Sequence, residues 1–173
     1  MIDATKMDLM LQALDNAEDD KEIRKAAQSV LEEDPKNPVA RLTLWEMLEE
    51  EEALEKLKEL EAVLRETTER LGAAPAAFDE NDPLTEVYGA TLMHLAAGSH
   101  EKGELERALD YARTLVAFDD QETFWGRAIL YRCLLDLQRY DRILEVLETD
   151  PLETPVGEHA RAIALFETQG ACE

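Results

Sequence analysis

The sequence predicts an all-α protein. Apolar residues recur at three- and four-residue spacings along nearly the whole chain, which is the period of an amphipathic helix. Only 7 Gly and 6 Pro occur among 173 residues, which leaves little material for the many tight turns of a multistranded β fold. No segment alternates convincingly between apolar and polar residues, as a half-buried strand would.

Four helices are predicted before Gly72, which is a natural helix stop. The first covers about 4–16, and the second begins at a cap provided by Asp19 or Asp20. The third covers about 38–50, and the fourth is longer and runs to about residue 71.

Proline and asparagine define the boundary between the second and third helices. Pro35 disfavours the helical conformation of Asp34, so the second helix should end before that residue. Asn37 can then cap the third helix, with Pro38 at its first position. The same physical arguments make Asp82 and Pro83 the start of the fifth helix.

Five further helices are predicted in the second half, and their approximate ranges are 84–99, 104–118, 122–137, 141–147 and 156–168. The segment between the halves combines proline, small residues and acids, and it is the only long loop candidate. We therefore expect a single domain, 1–173, with sub-halves 1–72 and 84–173 joined by the loop 73–83.

The charge of the chain restricts its partners. There are 40 acidic against 18 basic residues, a net charge of −22, which repels nucleic acid and anionic lipid at long range. The amino terminus lacks the basic cluster and apolar core of a signal peptide, and no apolar run reaches the ~20 residues that span a bilayer. We expect a soluble cytoplasmic protein that binds neither nucleic acid nor membranes.

Paired helices joined by short turns suggest hairpins stacked one on the next. Three segments, 34–48, 103–112 and 138–144, resemble parts of the tetratricopeptide repeat (TPR). The first resembles a repeat's turn and first helix, and the second resembles the start of its second helix. The third has an aromatic residue, Tyr140, where the repeat has one. The resemblance implies antiparallel helical hairpins stacked as a short right-handed α-solenoid.

The repeats are degenerate. Trp45 occupies a position where the family usually has a small residue, and Ser99 one where it usually has tyrosine. The segment 141–150 is about one helical turn short. An irregular helical bundle would use the same apolar stripes, and it remains the alternative architecture.

Nothing in the sequence predicts catalysis. His94, His100 and His159 are not spaced as metal ligands or catalytic pairs. The acidic loop around Asp79 lacks the central glycine of a calcium-binding loop, and Pro83 interrupts the pattern of its ligands. The glycines are isolated, so there is no phosphate-binding loop. We expect no catalytic residue, metal or cofactor, and therefore no enzymatic activity.

The resemblance implies that the first helix of each pair lines a concave groove. The residues that would face a partner there are Leu42, Glu46, Met93, His100, Trp125 and Arg132. For Trp125 the alternative is burial between helices, since bulky aromatic residues usually serve packing.

Two functions are compatible with these features. The first is a non-enzymatic scaffold that binds a peptide or a protein surface in the groove of the helical repeats. The second is an acidic decoy or chaperone that binds a basic protein by charge complementarity, with the Glu49–Glu52 run as its binding face. The sequence leaves the choice between the two surfaces open.

Overall fold

The computed structural model describes residues 4–48, 57–149 and 153–170. Within these ranges all regular secondary structure is helical, which confirms the prediction of an all-α protein. The nine helices of the described residues are α1 Ala4–Asp15, α2 Asp20–Glu33, α3 Pro38–Glu46, α4 Leu57–Leu71, α5 Pro83–Glu101, α6 Leu105–Phe118, α7 Gly126–Asp136, α8 Tyr140–Thr149 and α9 Pro155–Gln169. No helix in the described ranges is long and apolar enough to cross a membrane.

The predicted caps form. The Asp19 carboxylate accepts a hydrogen bond from the backbone N–H of Glu22 at 2.8 Å, so α2 starts after Asp19. The Asn37 side chain accepts one from the N–H of Ala40 at 3.2 Å and caps α3. Gly72 adopts a left-handed φ of 78°, which ends α4 as glycine does at many helix ends.

Two predicted boundaries are wrong. α3 ends at Glu46 and not near residue 50, and the four-glutamate run beyond it lies outside the described residues. α7 begins at Gly126 and not at Glu122, because Glu122 and Trp125 both have left-handed φ values, 61° and 59°. A left-handed residue cannot continue a right-handed helix, so the helical period of this segment was misleading.

Two compact units divide the chain. Unit 1 comprises Met1–Pro75 and Asp79–Thr91, and unit 2 comprises Ala76–Phe78 and Leu92–Glu173. The division falls inside α5, whereas the sequence placed the junction in the loop 73–83. The single-domain organisation expected from the sequence stays a prediction.

Unit 1 contains α1 to α4, each packed on the next along the chain. One cluster of its core is formed by small and apolar residues of the first three helices, among them Ala27, Val30 and Ala40, which are fully buried. Small residues at these contacts let the helix backbones approach closely.

Unit 2 has a core cluster to which several of its helices contribute. Its fully buried members include Leu109, Cys133 and Ile143, one each from α6, α7 and α8. α6 packs on α7, and α9 packs on both α7 and α8. Gly157 of α9 permits this close packing, since a Cβ there would lie 3.2 Å from the Leu147 side chain.

Candidate partner-binding surface

The segment 119–125, between α6 and α7, is held in a defined irregular conformation. The Asp119 side chain is buried and accepts a hydrogen bond from the backbone N–H of Phe124 at 2.8 Å. Gly126 follows directly, and a Cβ there would lie 3.1 Å from the Leu115 side chain. Glycine therefore lets the start of α7 approach α6 closely.

Glu122 caps α7 from within this segment. Its carboxylate accepts a hydrogen bond at 2.9 Å from the backbone N–H of Arg127, in the first turn of the helix. The same carboxylate pairs at 2.9 Å with the Arg127 guanidinium, which is 4% exposed. A buried arginine requires such a partner, and the pair holds the backbone of 122–127 in place.

Neighbouring aromatic residues in this segment have different environments. Phe124 is buried and contacts the rings of Phe78, at a centroid distance of 5.2 Å, and Phe118, at 6.4 Å. Trp125, the next residue, is 68% exposed. Its left-handed φ keeps it outside the helix, with the inward position taken by Phe124.

Trp125 is thus a surface residue. It is the most exposed of the large hydrophobic side chains in the described part of the chain. Its burial between helices, which the sequence left as an alternative, does not occur in this structure. Non-glycine residues in the left-handed region cost free energy, and such strain concentrates at functional sites.

Arg132 lies on α7, seven residues after Trp125, and its side chain is exposed. Arg132 is about two helical turns into α7, whereas Trp125 directly precedes the helix. Nine of the eleven arginines have a carboxylate oxygen within 4.0 Å, and among the described residues only Arg24 and Arg132 lack one. In so acidic a chain, an exposed arginine without such a partner is available for an external carboxylate.

His100 and Met93, the α5 candidates in unit 2, are less accessible. The His100 side chain is 11% exposed, and its Nε2 lies 2.6 Å from Oδ2 of Asp136, the last residue of α7. Met93 is half-buried. The His100–Asp136 contact joins the carboxyl ends of α5 and α7, and it gives His100 a structural partner.

Leu42 and Glu46, the remaining candidates, belong to α3 in unit 1. The Leu42 side chain is 5% exposed and contributes to the core, so it offers no surface to a partner. Glu46 is exposed at the end of the helix. Of the six candidates, the structure therefore exposes Glu46 in unit 1, and Trp125 and Arg132 in unit 2.

Cys133, next to Arg132, lacks the ionised, accessible thiol of a nucleophilic cysteine. Burial, with the negative charge of Asp136 as a smaller cause, raises the pKa of its thiol to about 11. Only a small fraction of such a thiol is ionised at neutral pH, and the side chain is fully buried. Among the described residues no group of histidine, cysteine and acidic side chains could hold a metal ion.

The residues that hold Trp125 in its exposed conformation could not be predicted from the sequence. The apolar pattern around Glu122 is that of a helix, so it predicts a helical residue there. The capping role of Glu122 arises only once the segment has folded. In the sequence, Gly126 is the one signal for this conformation, since a glycine after bulky aromatic residues can mark a helix start or a close approach of two helices.

A scan against protein-family models and searches of curated proteins and of solved structures found no match for this chain.

Proposed function

We propose that this protein is a non-enzymatic interaction module that binds a protein or peptide segment on the α7 face around Trp125 and Arg132. The observation that carries the proposal is the exposure of Trp125, held outside α7 by a left-handed backbone. Tryptophan and arginine are among the residue types enriched at the energetic centres of protein interfaces, and they are the expected anchors here.

The chemistry of the two side chains describes the ligand. Trp125 offers apolar contact area, and Arg132 offers a guanidinium with no carboxylate within 4.0 Å in the described chain. A segment that carries an apolar residue and a carboxylate would engage both. Leu42 has no part in this proposal, because its side chain is buried.

The TPR-like architecture is part of the proposal. The resemblance implies that the first helix of a pair packs on both helices of the preceding pair, and α9 packs on both α8 and α7. In that arrangement α7 is a first helix, whose outer face would line the groove. The packing in unit 2 supports this arrangement.

The test uses the chain as bait for quantitative mass spectrometry of bound proteins, with four variants. Trp125→Ala and Arg132→Ala remove the proposed anchors. Arg24→Ala is the matched control for the arginine, since Arg24 is also exposed and also lacks a carboxylate within 4.0 Å in the described chain. Phe166→Ala is the control for the aromatic residue, because Phe166 is 58% exposed on α9.

We expect a partner that the parent and both controls retain and that both anchor variants lose. With the purified partner, Trp125→Ala should weaken binding about tenfold or more, the usual cost of a central aromatic anchor. Circular dichroism of each variant excludes unfolding. Equal retention by all four variants would overturn the proposal.

Salt separates this function from the acidic decoy. Charge-driven binding to a basic protein weakens steeply with ionic strength, whereas contacts to Trp125 are apolar and weaken much less. Steep salt dependence, with binding lost when Glu49–Glu52 is changed to glutamine and kept in Trp125→Ala, would establish the decoy function instead.

A further inference from the structure

Unit 1 contains an open pocket of about 520 Å³, a size typical of small-molecule sites. Its apolar lining comes from α2 and from α3 with the residues that directly follow it, and consists of Leu31, Leu44, Trp45 and Leu48. Trp45 is 8% exposed, so it is part of the wall and not a surface anchor like Trp125. An aromatic and aliphatic lining of this kind favours a ligand with an apolar body.

Three charged residues complete the lining. Arg41 donates hydrogen bonds from Nε, at 2.8 Å, and Nη2, at 2.5 Å, to Oε1 of Glu59. This pair is internally neutral, and it ties α3 to the first turn of α4. Because Glu59 is occupied in this way, it contributes little uncompensated negative charge to the pocket.

Lys58 is the charge that remains. Its side chain is exposed at the pocket, and no carboxylate lies within 4.0 Å of it in the described part of the chain. An ammonium group beside an apolar wall recognises an amphipathic anion, with the anionic group at the lysine and the apolar body on Trp45.

We propose that this pocket binds small amphipathic monocarboxylates. Burial of the aliphatic or aromatic body against the apolar lining supplies most of the binding free energy. Lys58 pairs with the carboxylate and distinguishes it from a neutral analogue of the same shape. The site lies within unit 1, and it is independent of the proposed partner surface on α7.

The two tryptophans of the chain make a direct test possible. In a Trp125→Phe background Trp45 is the only tryptophan, and its fluorescence reports on the pocket. Octanoate and 1-octanol, which share a chain length and differ in charge, are the two probes. We expect both probes to change the fluorescence saturably.

Charge removal then identifies the recognition group. Lys58→Gln should weaken octanoate binding about two- to fivefold, the range of an exposed charge pair, and leave 1-octanol binding unchanged. Lys21→Gln is the matched control, because it removes an exposed lysine of α2 that does not line the pocket. It should leave both affinities unchanged.

Two results would overturn the inference. The first is the absence of saturable octanoate binding at Trp45. The second is an equal effect of Lys58→Gln on octanoate and 1-octanol, which would show that the lysine does not contact the carboxylate. Neither result bears on the α7 surface, whose test uses other residues and a protein partner.

Discussion

The two tryptophans of this chain have opposite environments. Trp45 is 8% exposed within α3, whereas Trp125 is 68% exposed at the start of α7. The difference comes from the backbone. Trp45 has helical geometry and takes an inward position of its helix, whereas the left-handed φ of Trp125 places it outside the helix that follows.

The arginines near the two tryptophans differ in the same way. Arg41, beside Trp45, is bound by Glu59. Arg132, on the helix that follows Trp125, has no carboxylate within 4.0 Å in the described chain. Trp45 and Arg41 thus line the pocket of unit 1, whereas Trp125 and Arg132 are exposed and available to a partner. Residue type alone does not distinguish these two situations.

Substitution by alanine should produce the largest contrast between the regions. We expect Trp45→Ala to lower the free energy of unfolding by about 3–5 kcal/mol, because it removes a large buried side chain and leaves a cavity. Trp125→Ala should change it by no more than about 0.5 kcal/mol, as an exposed substitution does. Urea unfolding followed by circular dichroism measures both values.

If Trp45→Ala fails to fold, a more conservative pair of substitutions tests the same difference in stability. Trp45→Phe keeps most of the buried volume, and it should still cost more stability than Trp125→Phe. Equal losses for the two positions would contradict the assigned burial and remove the basis for treating Trp125 as a binding anchor.

Much of the fold could be predicted because its signals are local. The cap at Asn37 and the helix end at Gly72 depend on interactions over a few residues, so they can be predicted from the sequence. The start of α7 could not be predicted from the sequence. Its conformation depends on Glu122 accepting from the backbone of Arg127 and pairing with the same residue's guanidinium, which is a property of the folded segment.

The candidate surface was predictable only in part. The sequence pattern indicates Trp125 and Arg132 as candidates, but their accessibility depends on backbone conformation and on the arrangement of carboxylates in space. For Leu42 the prediction is wrong, because a helical pattern alone does not distinguish a groove position from a core position. The pocket beside Trp45 requires side chains of three helices, and no sequence motif encodes it.

Trp125→Gly tests whether the left-handed backbone at residue 125 causes the difference in exposure between the two tryptophans. A left-handed φ costs an L-residue about 1–2 kcal/mol, and glycine avoids that cost while losing more chain entropy on folding. We expect Trp125→Gly to be more stable than Trp125→Ala by about 1 kcal/mol, measured by urea unfolding. The reverse order would show that residue 125 is not left-handed in solution.

The same glycine variant separates conformation from contact. It preserves the backbone and removes the ring, so it should lose the partner as Trp125→Ala does. Glycine at position 45 provides the opposite control, because it lies within α3 and should be less stable there than alanine.

The smallest expected effect concerns the charges inside unit 1. The hydrogen bond from Lys36, at 3.2 Å, lowers the pKa of the Glu66 carboxyl below its usual value of 4.5, and the positive charges of Lys36, Arg65 and Arg41 act in the same direction. Because the folded-state pKa is lowered, the stabilising contribution is present above the unfolded-state pKa. It is lost as the pH falls through the lower, folded-state value.

Glu66→Gln should therefore remove part of the acid sensitivity of unit 1. We expect the gap in urea midpoint between parent and Glu66→Gln to narrow as the pH falls from about 5 to about 3, since both then carry an uncharged residue at position 66. Glu69→Gln removes the same charge from the same helix without touching Lys36, so it should not reproduce this narrowing. A gap that stays constant over this range would show that the Lys36–Glu66 contact contributes nothing in solution. The Lys36–Glu66 pair of unit 1 would then differ less from Arg132 of α7, which has no carboxylate within 4.0 Å in the described chain, than the structure indicates.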